Sequence, residues 1–129
     1  MKIEHLAIWV DDLEIMKNFY MRYFGMSAGE KYVNPKKQYA SYFLHFADKN
    51  TRIEIMQRPD IGTITGQRGF QKGLAHFAVA VGDKHKVDEL TDLLRKDHYT
   101  IFSEARTTGD GYYESVVLDP EGNYLEITV

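Results

Sequence analysis

A histidine and a glutamate recur at matching places in the two halves of this 129-residue chain. His5 and His76 stand 71 residues apart, and Glu54 and Glu126 stand 72 apart. Within each half the histidine precedes the glutamate by 49 or 50 residues. Equivalent side chains at one long period are the mark of a duplicated structural unit. The surrounding pattern repeats in the same order. Residues 3–10 alternate as in a strand, Asp11-Asp12 can cap a helix, and Leu13, Met16, Phe19, Tyr20, Tyr23 and Phe24 recur at helical spacing before Gly25. Residues 38–46 and 51–57 read as strands joined by the turn Asp48-Lys49-Asn50.

The second half follows suit. Residues 74–81 read as a strand broken by Gly82-Asp83. Val87, Leu90, Leu93 and Leu94 then give a helix stripe that ends near Asp97. Residues 99–105 read as a strand, and residues 114–118 and 124–129 as a hairpin about Asp119-Pro120-Glu121-Gly122-Asn123. The expected organisation is one domain spanning 1–129, with a first module at about 1–59, a glycine-rich linker at 60–73 and a second module at about 74–129. The linker is long enough to permit an exchange of halves between two chains.

Both histidines are expected in the first strand of their half and both glutamates in the last. Ile53-Glu54-Ile55 and Leu125-Glu126-Ile127 flank each carboxylate with apolar, β-rich neighbours. A carboxylate in such a strand is costly unless it is paired or bound to a metal. Two imidazoles and two carboxylates suit zinc, nickel, cobalt, manganese or ferrous iron, and are too rich in nitrogen for a dedicated calcium site. Four protein ligands leave a six-coordinate ion two positions for water or substrate, which implies catalysis. Such an ion can hold vicinal oxygens and stabilise a developing enediolate, while a glutamate beside it moves a proton.

Composition narrows the alternatives. There is no cysteine, so disulfides, thiolate nucleophiles and cysteine-type zinc sites are excluded. The net charge is −3, and the one basic pair, Lys36-Lys37, is too short for a nucleic-acid surface. No apolar run approaches the length of a membrane span, and the first residues lack the pattern of a secretory leader. A cytoplasmic protein with no nucleic-acid or membrane partner is expected.

The chain resembles the vicinal oxygen chelate superfamily, and within it the glyoxalase I type. The resemblance rests on residues 3–8, Phe24-Gly25-Met26, Arg52-Ile53-Glu54-Ile55, the run Gly73-Leu74-Ala75-His76-Phe77-Ala78-Val79 and residues 119–126. It implies an α+β fold of two βαβββ modules whose curved mixed sheets enclose a metal site. It further implies a lyase or isomerase that converts the hemithioacetal of methylglyoxal and glutathione, with His5, Glu54, His76 and Glu126 as ligands and Glu54 or Glu126 as the base. Glutathione would be a co-substrate, and a homodimer would be the working form, with each site built from one chain or from two. The alternatives within the family are an epimerase, an extradiol-type dioxygenase or a non-catalytic binding (resistance) protein. Glu54 favours the glyoxalase type over the dioxygenases, which use two His and one Glu.

Other residues carry two readings. Arg52 shares the strand face of Glu54, as a substrate contact or an ion-pair partner. Trp9 and Tyr124 are on the cavity side of their strands, as substrate wall or as core. Arg22, Arg68, Lys72 and Arg106 join Arg52 as candidates for a substrate carboxylate, and Tyr112-Tyr113 for a loop over the pocket. His45, His85 and His98 have no equivalents and are taken as surface or local structural residues.

Overall fold

The computed structural model describes residues 1–63 and 65–129. Position 64, which falls within the expected linker, lies outside the described residues. The chain divides into two compact units, Met1–Thr63 and Ile64–Val129.

The first unit holds β1 (His5–Trp9), α1 (Leu13–Phe24), β2 (Ser27–Ala28), β3 (Tyr32–Asn34), β4 (Tyr39–His45) and β5 (Arg52–Gln57). The strands form a mixed sheet in the order β1-β5-β4-β2, with β3 also on β4. β1 runs parallel to β5, and the other pairings are antiparallel. Helix α1 starts where Asp12 accepts hydrogen bonds from the Glu14 and Ile15 amides, both at 2.9 Å. It stops at Gly25, whose φ of 60° belongs to the left-handed region. Between these ends Leu13, Met16, Phe19, Tyr20 and Tyr23 are buried. They pack with Leu44, Ile53 and Ile55, which are buried from the sheet side.

Glu14, in the first turn of α1, is joined to Lys17, to the Tyr42 hydroxyl at 2.8 Å and to Lys31 at 3.4 Å. The hydrogen bond from Lys17, followed by that from Tyr42, holds its carboxyl at about 2 instead of 4.5. A carboxyl depressed on folding contributes stability that is complete above its unfolded value and is lost as pH falls through its folded one. Glu14→Gln should therefore lower the thermal midpoint at pH 6, and the gap from the unmodified chain should close as pH falls from about 4.5 to about 2. Thermal melts of the two proteins across that range check this.

The second unit holds β6 (Phe77–Ala80), α2 (Lys84–Lys96), β7 (Ile101–Thr107), β8 (Tyr113–Leu118) and β9 (Tyr124–Thr128). The strand order is β6-β9-β8-β7, with β6 parallel to β9 and the rest antiparallel. α2 buries Val87, Thr91 and Leu94 on the side that meets β7, β8 and β9. Its core includes two hydroxyls: Thr91 and Ser115 share a hydrogen bond of 2.7 Å, and Thr91 also lies 2.6 Å from the Val87 carbonyl. Buried and mutually satisfied, they avoid the cost of orphaned polar groups.

The α+β class and the two mixed sheets agree with the expectation. The details differ at three points. The first unit carries β2 and β3, two short strands outside the expected strand ranges, and so holds one strand more than the βαβββ pattern. His76 precedes β6, which begins only at Phe77, because the pairing with β9 begins at Phe77 opposite Leu125. The strand expected at 99–105 is Ile101–Thr107, since the left-handed His98 (φ 66°) and the turn to Thr100 come first. Among the described residues no helix is long and apolar enough to cross a membrane.

Candidate metal centre

The last strand of each unit is built alike. In β5, Ile53 and Ile55 are buried, so period-two alternation turns Arg52, Glu54 and Met56 to the opposite face. In β9, Leu125 and Ile127 are buried, and Tyr124, Glu126 and Thr128 take the opposite face. A turn closed by an aspartate precedes each strand and fixes its register. Asp48 accepts from the Asn50 amide and side chain at 3.0 and 3.1 Å. Asp119 accepts from the backbone of Glu121 and Asn123 and from the Asn123 side chain at 3.0, 2.9 and 2.7 Å. A one-residue slip would send either glutamate into the core.

In the first unit Glu54 lies opposite Ala7 on β1 and Phe43 on β4. His5 is two residues from Ala7 and shares its face. Its Nε2 is 4.0 Å from Glu54 Oε2. His5 Nδ1 is bonded to Glu4, which also pairs with Arg52. The bond to His5, with the pairing to Arg52, holds the Glu4 carboxyl below its usual range. When Nδ1–H donates to Glu4, the neutral ring keeps its Nε2 lone pair on the Glu54 side. On the other carboxylate oxygen, the Tyr39 hydroxyl donates to Glu54 Oε1 at 2.9 Å. Burial raises the pKa of the Tyr39 phenol, Ser41 opposes the shift and Glu54 reinforces it, so the donor stays protonated.

In the second unit His76 Nε2 lies 3.3 Å from Glu126 Oε2. Glu126 is flanked by Ala78 and Val116. Glu114, two residues from Val116 on the same face, stands beside it. Burial, then the charge of Glu126, pushes the Glu114 carboxyl up, while Arg106 at 3.9 Å pulls it down. Both metal-candidate glutamates are largely shielded, at 15% and 17% exposed, whereas His5 and His76 are more open at 39% and 49%.

Each pair presents one imidazole nitrogen and one carboxylate oxygen. Donors about 2.0–2.2 Å from one ion, at adjacent positions of its shell, stand roughly 3–3.5 Å apart. The 3.3 Å of His76 and Glu126 fits this, and the 4.0 Å of His5 and Glu54 needs a small movement of the open histidine. The donor chemistry therefore suits a divalent ion. Among the described residues no three His, Asp or Glu side chains form a group that could hold a metal; what each unit supplies is a pair.

Trp9 shares the face of His5. It meets the Tyr39 ring edge-on at 6.2 Å and lies under Arg58, 5.4 Å from its ring centroid. Beyond it a cleft of about 320 Å³ is lined by Val10, Asp11, Gln38, Gln57, Arg58, Pro59 and Ile61. Tyr124 is buried beneath Phe70 and Phe102, at 5.9 and 4.7 Å between ring centroids. Gly69 passes so close that a Cβ there would stand 2.7 Å from the Tyr124 ring. Arg68 anchors that segment, bonded to Asn123 at 2.9 Å and 3.7 Å from Glu121. Arg52 stacks over Phe43 at 4.1 Å besides pairing with Glu4, and its buried Nε has no hydrogen-bond partner.

The Tyr113 hydroxyl is bonded to Asp88 at 2.7 Å, and the exposed Tyr112 joins a turn closed by Thr108. Arg22 lies over the Tyr23 ring at 5.2 Å. His85 pairs with Glu89 on the surface of α2. Sequence reasoning missed Tyr39, Glu4 and Glu114. Glu114 was within reach, because the Asp119 turn sets the hairpin register that puts it on the Glu126 face. Tyr39 was not, since its approach to Glu54 depends on how β4 pairs with β5.

The profile of the Glyoxalase/Bleomycin resistance protein/Dioxygenase superfamily matches residues 2–127. The chain belongs to this superfamily. Solved structures similar to this superfamily member include the trypanothione-dependent glyoxalase I of Leishmania major, at 26% identity and a TM-score of 0.78, over 99% of this chain and 86% of that one. Glyoxalase I of Zea mays aligns at 25% identity and a TM-score of 0.75, over 98% of this chain but only 44% of that one. A glyoxalase family protein of Enterococcus faecalis, at 22% identity, shares the superfamily fold with a TM-score of 0.77, over 99% of this chain and 97% of that one. No curated protein sequence matches the chain.

Proposed function

We propose that the chain is a metal-dependent lyase or isomerase of the glyoxalase I type. In this reading the two units work as one domain, with modules at about 1–59 and 74–129, and His5, Glu54, His76 and Glu126 hold one divalent ion. The observation that carries it is the equivalence of the two His–Glu pairs. Each glutamate stands on the sheet face opposite the buried residues of its strand, with His–Glu donor spacings of 4.0 and 3.3 Å. Zinc, nickel, cobalt, manganese and ferrous iron all suit such donors. Superfamily membership and the likeness to glyoxalase I structures support the reaction class.

The ion, when bound, would polarise the vicinal oxygens of a substrate. The chain's residues do the rest. A carboxylate, Glu54 or Glu126, takes the proton from the hydroxyl-bearing carbon of the hemithioacetal and returns it to the neighbouring carbonyl carbon. The hydroxyl carbon becomes the thioester carbonyl as its O–H proton passes to the neighbouring oxygen, the former carbonyl becomes a hydroxyl, and no oxidant is consumed. Trp9 serves as a substrate wall, whereas Tyr124, covered by Phe70 and Phe102, takes the core role. Arg58, which lines the first unit's cleft and pairs with Asp60, is the candidate for a substrate carboxylate in this reading, and Arg52 acts through its pairing with Glu4 beside His5. A cytoplasmic homodimer acting on a small molecule, with glutathione as co-substrate, completes the reading.

The test is turnover of the methylglyoxal–glutathione hemithioacetal by the full chain loaded with nickel or zinc. The expected result is thioester formation that a chelator abolishes and added metal restores. A protein with stoichiometric bound metal and no thioester product would overturn the substrate assignment. Oxygen uptake with iron bound would point to the dioxygenase chemistry of the superfamily instead.

A further inference from the structure

The two glutamates are equivalent by repeat but not by surroundings. Glu126 faces another carboxyl, that of Glu114. Glu54 faces a phenol: the Tyr39 hydroxyl donates to Oε1 at 2.9 Å, while Oε2 is the oxygen nearest His5. Tyr39 begins β4 and shares the face of Phe43, the residue directly opposite Glu54. Its ring leans along that face and is held by edge and tilted contacts with Trp9 at 6.2 Å and Tyr32 at 6.0 Å. A donor fixed in this way restricts the carboxylate it touches.

We propose that Tyr39 is a positioning residue for Glu54, which occupies one carboxylate oxygen so that the other is presented to the metal as a single-oxygen ligand. The inference rests on the metal reading above. Ligating carboxylates need partners of their own, and a ligand without its partner samples more orientations and binds its ion less tightly. Tyr39 supplies that partner from a neighbouring strand. Phenol donation to Oε1 also disfavours a two-oxygen grip on the ion by Glu54, which keeps a coordination position open for substrate. On Glu126 the neighbouring side chain is the Glu114 carboxyl instead of a phenol.

The experiment compares the unmodified full chain with Tyr39→Phe and with Tyr32→Phe. The first variant keeps the ring and loses only the donor; the second alters a neighbouring ring that does not touch Glu54. Two quantities are read: nickel or zinc affinity by calorimetric titration, and the visible absorption spectrum of the cobalt-loaded protein, which reports ligand number and geometry. Tyr39→Phe is expected to bind metal about 10- to 100-fold more weakly and to change the cobalt spectrum, while Tyr32→Phe matches the unmodified chain in both. Unchanged affinity and spectrum in Tyr39→Phe would overturn the positioning role and leave the metal reading standing. Failure of the unmodified chain to bind any of these ions would overturn both.

Discussion

Glu54→Gln and Glu126→Gln should each weaken binding of nickel or zinc by about 100-fold or more, measured by calorimetric titration. An amide has the shape of the carboxylate but not its charge, and a divalent ion held by oxygen and imidazole donors depends on that charge. The loss should exceed the one expected from removing a supporting hydrogen bond, which is about 10- to 100-fold. Both variants should lose affinity, because in the proposed site each removes one of the two carboxylate ligands. Folding should survive in both. Glutamine can still accept from the Tyr39 hydroxyl in the first unit, and in the second it removes a carboxylate charge beside Glu114. A variant such as Glu89→Gln, which alters an exposed side chain paired with His85 on α2, should bind metal like the unmodified chain.

The largest expected loss of stability comes from the residues that put those glutamates on the outer face. Leu125 is fully buried next to Glu126, in the core beneath α2. Leu125→Ala should lower the unfolding free energy by about 2–5 kcal/mol, the range for emptying a packed leucine site. Ile55→Ala, at an equally buried position next to Glu54, should have a comparable cost. Leu93, on the exposed side of α2, is the control: Leu93→Ala should cost well under the core values. Denaturant titrations of the three variants give the comparison directly. If Leu125→Ala proved as mild as Leu93→Ala, the assignment of inner and outer faces on β9 would be wrong.

Much of this arrangement was legible before any coordinates. Helix α1 announced itself twice, through its apolar stripe and through Asp12 and Gly25 at its ends, and both caps are present. The apolar neighbours of Glu54 and Glu126 marked both as strand residues, and the structure turns those neighbours to the core and each glutamate to the opposite face. Local patterns of this kind are legible because they depend on one element and its nearest packing partner.

What stayed hidden depends on partners far away in sequence. β2 and β3 span two and three residues, too few to show a period, and exist because β4 offers them an edge. His76 sits ahead of β6 because a strand begins where its partner does, and β9 starts pairing at Leu125. The role of Tyr39 needs the register of β4 against β5 and the lean of a ring along the sheet. Arg52 shows the same limit: parity put it on the Glu54 face, but only coordinates reveal that its guanidinium pairs with Glu4 and stacks on Phe43.

The central claim is that two equivalent His–Glu pairs serve one ion. Its most direct test is the metal content of the unmodified chain, loaded with nickel or zinc, freed of excess and measured by elemental analysis. One ion per chain is the predicted result, whether a site draws its pairs from one chain or from two. No retained ion, or two ions per chain with each pair holding its own, would contradict it.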